Sequence, residues 1–171
     1  LNMIPAVIIS NNSKSMASQR AKIEKIPFYH ISSKTHPDEN ERDCSIMNTL
    51  VSHGVDIVIL AGYMKKIGKK TIEQFENKIL NIHPALLPKY GGKGMYGLYV
   101  HEAVLGNKET ETGITVHIVD DKYDHGRIIN QMRIKINDNE TPLNLQKRIL
   151  DQEHNFYVET LQKISCEKII L

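Results

Sequence analysis

The sequence predicts an α/β fold built on a doubly wound, mostly parallel sheet. Short apolar runs that suit strands alternate with segments whose apolar residues recur at helical spacing. One run, residues 55–61 (VDIVILA), is almost continuously apolar and β-branched, which is typical of a parallel strand covered on both faces. With 171 residues the chain is long enough to bury a core. We therefore expect residues 1–171 to form a single Rossmann-like domain.

The first half of the chain predicts the order strand, helix, strand, helix, strand. The strands are expected at residues 5–9, 28–31 and 55–61, and the helices at residues 15–25 and 39–52. The apolar residues expected to face inward are Met16, Ala17, Ala21, Ile23, Ile46, Met47, Leu50 and Val51. Gly54 follows the second helix, in a position where glycine commonly ends a helix.

The second half predicts three strands and three helices around one long loop. The expected elements are a helix at 69–76, a strand at 78–83, a helix at 99–105, strands at 113–119 and 127–134, and a helix at 142–164. Thr141 and Pro142 suit the N-cap and the first turn of the last helix. The loop at residues 84–98 is rich in Pro and Gly, and loops of this length are often functional.

Composition and charge argue against several classes of function. The formal net charge of +2 gives no reason to expect nucleic acid or an anionic membrane as a partner. No apolar stretch approaches the ~20 residues that a membrane span needs, and no secretory signal is visible. Cys44 and Cys166 are far apart and match no metal or redox spacing. We therefore expect a cytoplasmic protein that needs no metal ion.

Asn81, His83 and Asp124 are the residues best suited to carry chemistry. Asn81 and His83 are two apart in a predicted strand, so their side chains point to one face, about 7 Å apart at Cα. Pro84 cannot donate to a sheet ladder and should end that strand. An amide and an imidazole are thus expected at the carboxyl end of a strand, where open α/β sheets bind ligands. Taken alone, each of these residues is more often structural.

Five motifs together point to a known family. They are residues 60–64 (LAGYM), 81–88 (NIHPALLP), 113–117 (GITVH), 121–126 (DKYDHG) and 152–154 (QEH). This set resembles the phosphoribosylglycinamide formyltransferases, of the folate-dependent formyltransferase superfamily. The resemblance covers nearly the whole chain and is weaker before residue 57. The Asn-x-His-Pro block is specific to the superfamily, and the continuation at 86–92 (LLPKYGG) favours the purine enzyme within it.

The resemblance implies formyl transfer from 10-formyltetrahydrofolate to the amine of glycinamide ribonucleotide, in de novo purine biosynthesis. Such a reaction passes through a tetrahedral oxyanion, and one preorganised donor at that oxygen is commonly worth ~3 kcal/mol. Asn81 can supply a donor through its side-chain NH₂. His83 can be cationic there and donate a second hydrogen bond, because the nearby carboxylate of Asp124 favours the imidazolium. Asp124 can also order a water that moves the proton from the amine to the leaving nitrogen.

The resemblance also implies residues that bind the folate and the amine substrate. The expected folate-binding residues are Arg42, Met64, Lys65, Lys66, Ile67, Asn81, Asp121 and Asp124. Pro84 and Glu153 are expected to contact the amine substrate, and His117 to lie near Asp124 and support it. Each assignment has a structural alternative: a solvated helix arginine for Arg42, a plain strand-to-helix turn for residues 64–67, and an exposed helix carboxylate for Glu153. For His117 the alternative is a buried structural histidine.

Other histidines and the glycines of the loops are given no role in the reaction itself. His30, His36, His53 and His101 are expected on the surface or in loops. Gly91, Gly92 and Gly94 give the long loop freedom to adopt positive φ and to close over the substrate. The family has two glycines after its catalytic aspartate, whereas His125 and Gly126 follow Asp124 here. We expect the Cβ at residue 125 to shift this loop slightly.

The front of the chain departs from the family pattern, which begins with a strand and a Gly-Ser-Asn loop that holds the substrate phosphate. Residues 10–14 (SNNSK) look similar, but the residues after them match the family's second strand. Alignment with the first strand is kept as the minority alternative. Because a missing first strand would be central in the sheet, we expect the native protein to have residues ahead of Leu1. Without them, phosphate binding should be weak.

Three other functions are also compatible with these residues. A sugar-nucleotide N-formyltransferase and a formyltetrahydrofolate hydrolase would use the same three residues. A truncated, non-catalytic remnant would bind folate without turnover. A small-molecule ligand is expected in each case, and the protein is expected to be a monomer or a homodimer.

Overall fold

The computed structural model describes residues 2–171, which divide into two compact units. The N-terminal unit comprises residues 3–58 and 65–76, and the C-terminal unit comprises residues 59–64 and 77–171 together with residue 2. In chain order the elements are β1 (Ile8–Ser10), α1 (Met16–Ile23), β2 (Phe28–His30), α2 (Glu39–Ser52), β3 (Val58–Ile59), α3 (Lys69–Gln74), β4 (Ile79–His83), α4 (Leu98–Gly106), β5 (Glu111–Ile118), β6 (Ile128–Lys135) and α5 (Pro142–Ser165).

The N-terminal unit begins with a strand–helix–strand motif. β1 and β2 pair in parallel, with Ile8 opposite Phe28, and α1 connects them. Both of its longer helices start at a capping side chain. Ser15 accepts a hydrogen bond from the Ser18 N–H, and Asp38 accepts one from the Glu41 N–H. These caps satisfy backbone donors that a helix start otherwise leaves unpaired.

A buried carboxylate joins α2 to α3. Asp43, in α2, accepts hydrogen bonds from the backbone N–H of Lys70 at 2.8 Å and of Thr71 at 3.2 Å, and from the Thr71 hydroxyl at 2.5 Å. The N-cap residue of α3 is Gly68, which offers no side chain for this role. A Cβ on residue 68 would lie 2.1 Å from Asp43 Cγ, which explains the glycine. Asp43 therefore caps α3 from a neighbouring helix.

The C-terminal unit contains the sheet with strand order β3-β4-β5-β6, and the boundary between the units falls within β3. β4 pairs with β5, and β5 with β6, in antiparallel fashion. Asn81 lies opposite His117, and the ladder between β5 and β6 is irregular between Val116 and His117. At the β3 edge the Leu60 N–H donates to the Leu80 carbonyl at 2.8 Å.

α5 supplies much of the core of the C-terminal unit. Its buried residues are Leu145, Ile149, Phe156, Tyr157, Thr160 and Leu161. Several of them recur at helical spacing and so form one apolar face. The Tyr157 hydroxyl donates to the Leu80 carbonyl at 3.0 Å, which fixes α5 to β4. Within the described residues, no helix is both long and apolar enough to cross a membrane.

The predicted α/β class is confirmed, and most elements lie within a few residues of their predicted positions. The β1–β2 pair is parallel, whereas the late strands add antiparallel pairs. The strand predicted over residues 55–61 was too long, since β3 covers only Val58–Ile59 and Ile59 is exposed. β3 is the edge strand of its sheet, so it is paired on one side only.

Four inferences about burial were wrong. Met16 and Ile23 are 64% and 74% exposed, because α1 packs against a sheet of only two strands. Val51 is also exposed, whereas Ile46 and Leu50 in the same helix are buried. His101 was expected at the surface, but it lies in α4 and is 2% exposed. It faces inward with its neighbour Val100 because α4 is apolar around most of its circumference.

Replacing Asp43 with Ala should lower the free energy of unfolding by about 2–4 kcal/mol, because buried donors would lose their acceptor at ~1–3 kcal/mol each. Denaturation in urea, followed by circular dichroism, measures the change. The matched control is Asp56→Ala, at an exposed aspartate, which should change the free energy by less than ~0.5 kcal/mol. Equal losses in the two variants would contradict the capping role of Asp43.

Candidate active site

Asn81 and His83 lie at the carboxyl end of β4. β4 ends at His83, and Pro84 follows outside the strand, as the sequence predicts. Asp124 comes from the loop between β5 and β6, where it has a positive φ of 53°. A Cβ on Gly126 would lie 2.1 Å from the Ile118 carbonyl oxygen, so the loop requires glycine there to turn back against β5. The structure thus brings Asp124 together with Asn81 and His83, which lie in a distant part of the sequence.

Asp124 lies between two buried histidines. Its Oδ2 atom is 3.6 Å from His83 Nδ1, and its Oδ1 atom is 3.6 Å from His117 Nε2. The Gly92 N–H donates to Oδ2 at 2.9 Å. The Asp124 side chain is 12% exposed, so the carboxylate retains an open side within an otherwise enclosed arrangement.

His83 is fixed in one tautomer. Its Nε2–H donates to the Tyr90 carbonyl at 2.7 Å, so that Nδ1 carries the lone pair that faces Asp124. Burial lowers the pKa of His83 below its usual value, although Asp124 and the Tyr90 carbonyl act in the opposite direction. The lowered pKa favours a neutral His83 in the free protein, because the cost of desolvating the imidazolium exceeds the attraction of the carboxylate.

His117 orients the amide of Asn81. Asn81 Nδ2 donates to His117 Nε2 at 3.2 Å, while His117 Nδ1–H donates to the Ile118 carbonyl at 2.8 Å. This chain of hydrogen bonds requires a neutral His117, and burial indeed lowers the pKa of His117. The second N–H of Asn81 Nδ2 donates to no side chain among the described residues, and this donor is free to bind a ligand.

The residues predicted to contact the amine substrate are both in the C-terminal unit. Pro84 is half-buried directly after β4. Glu153 is half-buried in α5 and has no hydrogen-bond or ion-pair partner within the described part of the chain. Burial raises the pKa of Glu153 to about 7. The alternative of an exposed helix carboxylate is therefore wrong.

The residues predicted to bind folate are distributed between the units. Met64 and Asp121 are exposed residues of the C-terminal unit. Lys65 and Lys66, which are exposed, and Ile67, which is buried, belong to the N-terminal unit.

Arg42 also belongs to the N-terminal unit, where its guanidinium is engaged locally. It donates to the carbonyls of His36 at 2.9 Å and Pro37 at 3.3 Å, and pairs with Glu39 at 3.5 Å. These contacts tie Arg42 to the turn before its own helix and favour its structural alternative.

Sequence reasoning missed the backbone groups that hold the site together. The Tyr90 carbonyl and the Gly92 N–H bind His83 and Asp124, and neither contact leaves a side-chain signature. The glycines of the long loop were an indirect signal, since Gly92 and Gly94 have φ of 98° and 92°. His125 is accommodated on the outside of its loop, where its Nδ1–H donates to Asp120 at 2.9 Å.

His101 was also missed. Its Nδ1 atom has no hydrogen-bond partner within residues 2–171. Burial, and to a lesser extent the charge of a protonated His83, lower the pKa of His101 to about 4. His101 is therefore neutral at physiological pH.

Comparison with known proteins assigns the fold to a family. A family model described as formyl transferase matches residues 3–161. The chain belongs to the formyl transferase family. Phosphoribosylglycinamide formyltransferase of Haemophilus influenzae is 36% identical over 89% of this chain and 69% of its own length. The chloroplastic phosphoribosylglycinamide formyltransferase of Arabidopsis thaliana is 39% identical over 95% of this chain, which spans only 56% of that relative's length.

Solved structures of this family agree with the fold. The crystal structure of phosphoribosylglycinamide formyltransferase from Bacillus halodurans superposes with a TM-score of 0.86 at 32% identity, covering 96% of this chain and 82% of that one. A formyltetrahydrofolate deformylase from Pseudomonas syringae superposes with a TM-score of 0.84 at 21% identity, over 97% of this chain and 53% of that one. This second likeness shows the shared fold alone. The resemblance predicted from the five motifs is confirmed.

Acidification should destabilise this formyltransferase domain, and His101→Leu should reduce the effect. Because burial lowers the pKa of His101 from 6.5 to about 4, the unfolded chain binds a proton where the folded chain does not. The stability contributed by neutral His101 is present above a pH of about 6.5 and is lost as the pH falls towards about 4, by on the order of 2 kcal/mol. Urea unfolding at neutral and at acidic pH measures this difference.

His83 and His117 act in the same direction, since their pKa values are also lowered, so the variant should keep part of the acid sensitivity. His154→Leu, at an exposed histidine of α5, is the matched control and should behave like the wild type. A His101→Leu variant with the wild-type loss of stability in acid would show that His101 does not titrate as argued.

Proposed function

We propose that this protein transfers the formyl group of 10-formyltetrahydrofolate to the amine of glycinamide ribonucleotide. The observation that carries the proposal is the convergence of Asn81, His83 and Asp124 at the end of β4. The names of the relatives support the choice of substrate, since the plant and bacterial proteins are phosphoribosylglycinamide formyltransferases. One family model covers nearly the whole chain, which supports a single formyltransferase domain.

The residues present fit a formyl donor and an amine acceptor. The bound formyl group supplies an electrophilic carbonyl carbon, whose oxygen gains negative charge as the amine adds to it. The free N–H of Asn81 is held by His117 in a fixed direction, so it needs no reorganisation when that charge develops. This is the condition under which an oxyanion donor contributes most to catalysis.

His83 and Asp124 form a site for one proton. The lone pair of His83 Nδ1 and the Oδ2 atom of Asp124 are both acceptors, and they face each other at 3.6 Å without a proton between them. The proton released by the attacking amine completes this pair as an imidazolium beside a carboxylate. The pair then returns the proton to the leaving nitrogen of the folate as the carbon–nitrogen bond breaks. A neutral His83 in the free protein is therefore the form ready to accept this proton.

The remaining assignments extend the proposal to binding. Glu153 accepts an N–H of the amine substrate through its carboxylate, and Pro84 lines the same side. The backbone of residues 64–67 stays a prediction as the pterin contact, and so do Asp121 and Asp124 as folate contacts. Arg42 as a contact for the folate tail stays a prediction. No step of this scheme uses a metal ion.

Partners and location follow from the same proposal. The partner is a small molecule, and a monomer or a homodimer serves equally well for this chemistry. We propose a cytoplasmic location. The plant relatives are named chloroplastic, so the compartment differs within the family.

The main test is the rate of formyl transfer to glycinamide ribonucleotide by the full-length gene product and its Asn81→Ala variant. The variant should lower kcat ~100-fold, since one preorganised donor contributes about 3 kcal/mol to the transition state. The KM values should change little, because the donor acts mainly on charge that develops during the reaction. Steady-state measurement of tetrahydrofolate release gives both constants.

Asn155→Ala is the matched control, because Asn155 is an exposed residue of α5. It should retain wild-type kcat. Transfer by the wild type to an amino-sugar nucleotide or to water, without transfer to glycinamide ribonucleotide, would replace the proposal by one of the alternatives. Folate binding without turnover would identify a non-catalytic remnant, and full activity of Asn81→Ala would contradict the mechanism.

Glu153→Gln should raise the KM for the amine substrate and stabilise the protein at alkaline pH. Because burial raises the pKa of Glu153 from 4.5 to about 7, the folded protein holds a proton that the unfolded chain has lost. The ionised carboxylate thus costs stability as the pH rises from about 4.5 through about 7, by on the order of 2 kcal/mol. Glutamine cannot ionise and should avoid this loss, which thermal denaturation at pH 6 and 8 would show.

Glu159→Gln, at an exposed position of the same helix, is the control. It should change neither the KM nor the pH dependence of stability. A Glu153→Gln variant that gains stability but keeps the wild-type KM would confirm the burial and remove Glu153 from the substrate site.

A further inference from the structure

Tyr90 connects the proposed active site to a surface carboxylate. Its carbonyl accepts the Nε2–H of His83 at 2.7 Å, and its hydroxyl donates to Glu109 Oε1 at 2.9 Å. Lys89 Nζ donates to the same oxygen at 2.9 Å. Glu109 itself is tied to α4, because its N–H donates to the Val104 carbonyl at 3.3 Å. Two consecutive residues of the long loop are therefore anchored on one carboxylate at the end of α4.

The short segment 90–92 controls both members of the proton site. The Tyr90 carbonyl binds His83, and two residues later the Gly92 N–H binds Asp124 at 2.9 Å. Tyr90 has a φ of 57°, which is uncommon for a residue with a Cβ and persists only where surrounding contacts impose it. The two glycines that follow cannot impose it, because glycine is the most freely rotating residue. The hydrogen bond from the Tyr90 hydroxyl to Glu109 is one of the contacts that hold Tyr90 in this conformation.

We propose that Glu109 is a positioning residue for formyl transfer. It acts through the Tyr90 hydroxyl to hold segment 90–92 in place, and this segment fixes the tautomer of His83 and the position of the Asp124 carboxylate. This inference rests on the function proposed above. Lys89 and Tyr90 together lower the pKa of Glu109, so it remains a charged acceptor at neutral pH. The titratable groups that face His83 are Asp124, His117 and His101, and none of them contacts the Glu109 anchor.

The experiment compares Tyr90→Phe, Glu109→Ala and Glu109→Gln with the wild-type full-length protein. Nitrogen-15 NMR of the histidine rings reports the tautomer of His83 directly, without any need for activity. Tyr90→Phe and Glu109→Ala should convert part of His83 to the Nδ1–H form and lower kcat about 10-fold, with KM nearly unchanged, because the reacting groups are misplaced by a fraction of an ångström.

Two comparisons separate positioning from general damage. Glu109→Gln keeps an oxygen acceptor for the Tyr90 hydroxyl, so it should recover most of the rate lost in Glu109→Ala. The double variant Tyr90→Phe with Glu109→Ala should be no slower than either single variant, because both break the same link. Tyr96→Phe, at an exposed tyrosine of the same loop, is the matched control and should match the wild type in spectrum and rate.

A wild-type His83 spectrum and wild-type kcat in both Tyr90→Phe and Glu109→Ala would overturn the inference while leaving the proposed function intact. The opposite result is also distinguishable. If the His83 tautomer shifts in these variants but the wild type transfers no formyl group, the positioning role stands and the proposed function fails.

Discussion

The carboxylate of Asp124, held between two neutral histidines, is the constraint on which the rest of the site depends. At 3.6 Å from each imidazole, a carboxylate would normally favour the charged form of both rings. Burial is the larger effect here and keeps His83 and His117 neutral. The negative charge is instead compensated by the Gly92 N–H and by its open side. The result is a carboxylate that faces the lone pair of His83 Nδ1 with no hydrogen between them.

Holding a carboxylate in this way requires unusual backbone on both sides of it. Asp124 adopts a positive φ, and Gly126 lets the loop return close to the end of β5. A Cβ on Gly91 would lie 2.5 Å from the Leu87 side chain and 3.0 Å from Asp124 Cβ, so the long loop can approach Asp124 only with glycine there. The glycines on the two loops are therefore needed for close approach of the chains to one another. Flexibility for closing over a substrate is a separate role that these contacts do not require.

The sequence predicted what local chemistry determines. α2 has the predicted bounds, and Thr141 caps α5 as its residue type implies. Pro84 ends β4 because a residue without an N–H cannot continue the ladder. In contrast, the length of β3 and the exposed face of α1 depend on which elements pack beside them, and no local pattern records that. The convergence of Asn81, His83 and Asp124 was predictable only through the resemblance, since a loop between two later strands supplies the aspartate.

The charge state of His83 could not be predicted from the types of residue around it alone. The sequence places a carboxylate near this histidine and so suggests a cation, but it contains no measure of how thoroughly His83 and His101 are buried. Burial also acts on Glu153, in the opposite direction, because it disfavours whichever form is charged. Protonation of the buried histidines lowers the stability of the folded protein in acid, and ionisation of Glu153 lowers it in alkali. These buried groups therefore confine the stability maximum to a window near neutral pH. The same desolvation that costs stability keeps His83 neutral, which is the form that can accept a proton from an attacking amine.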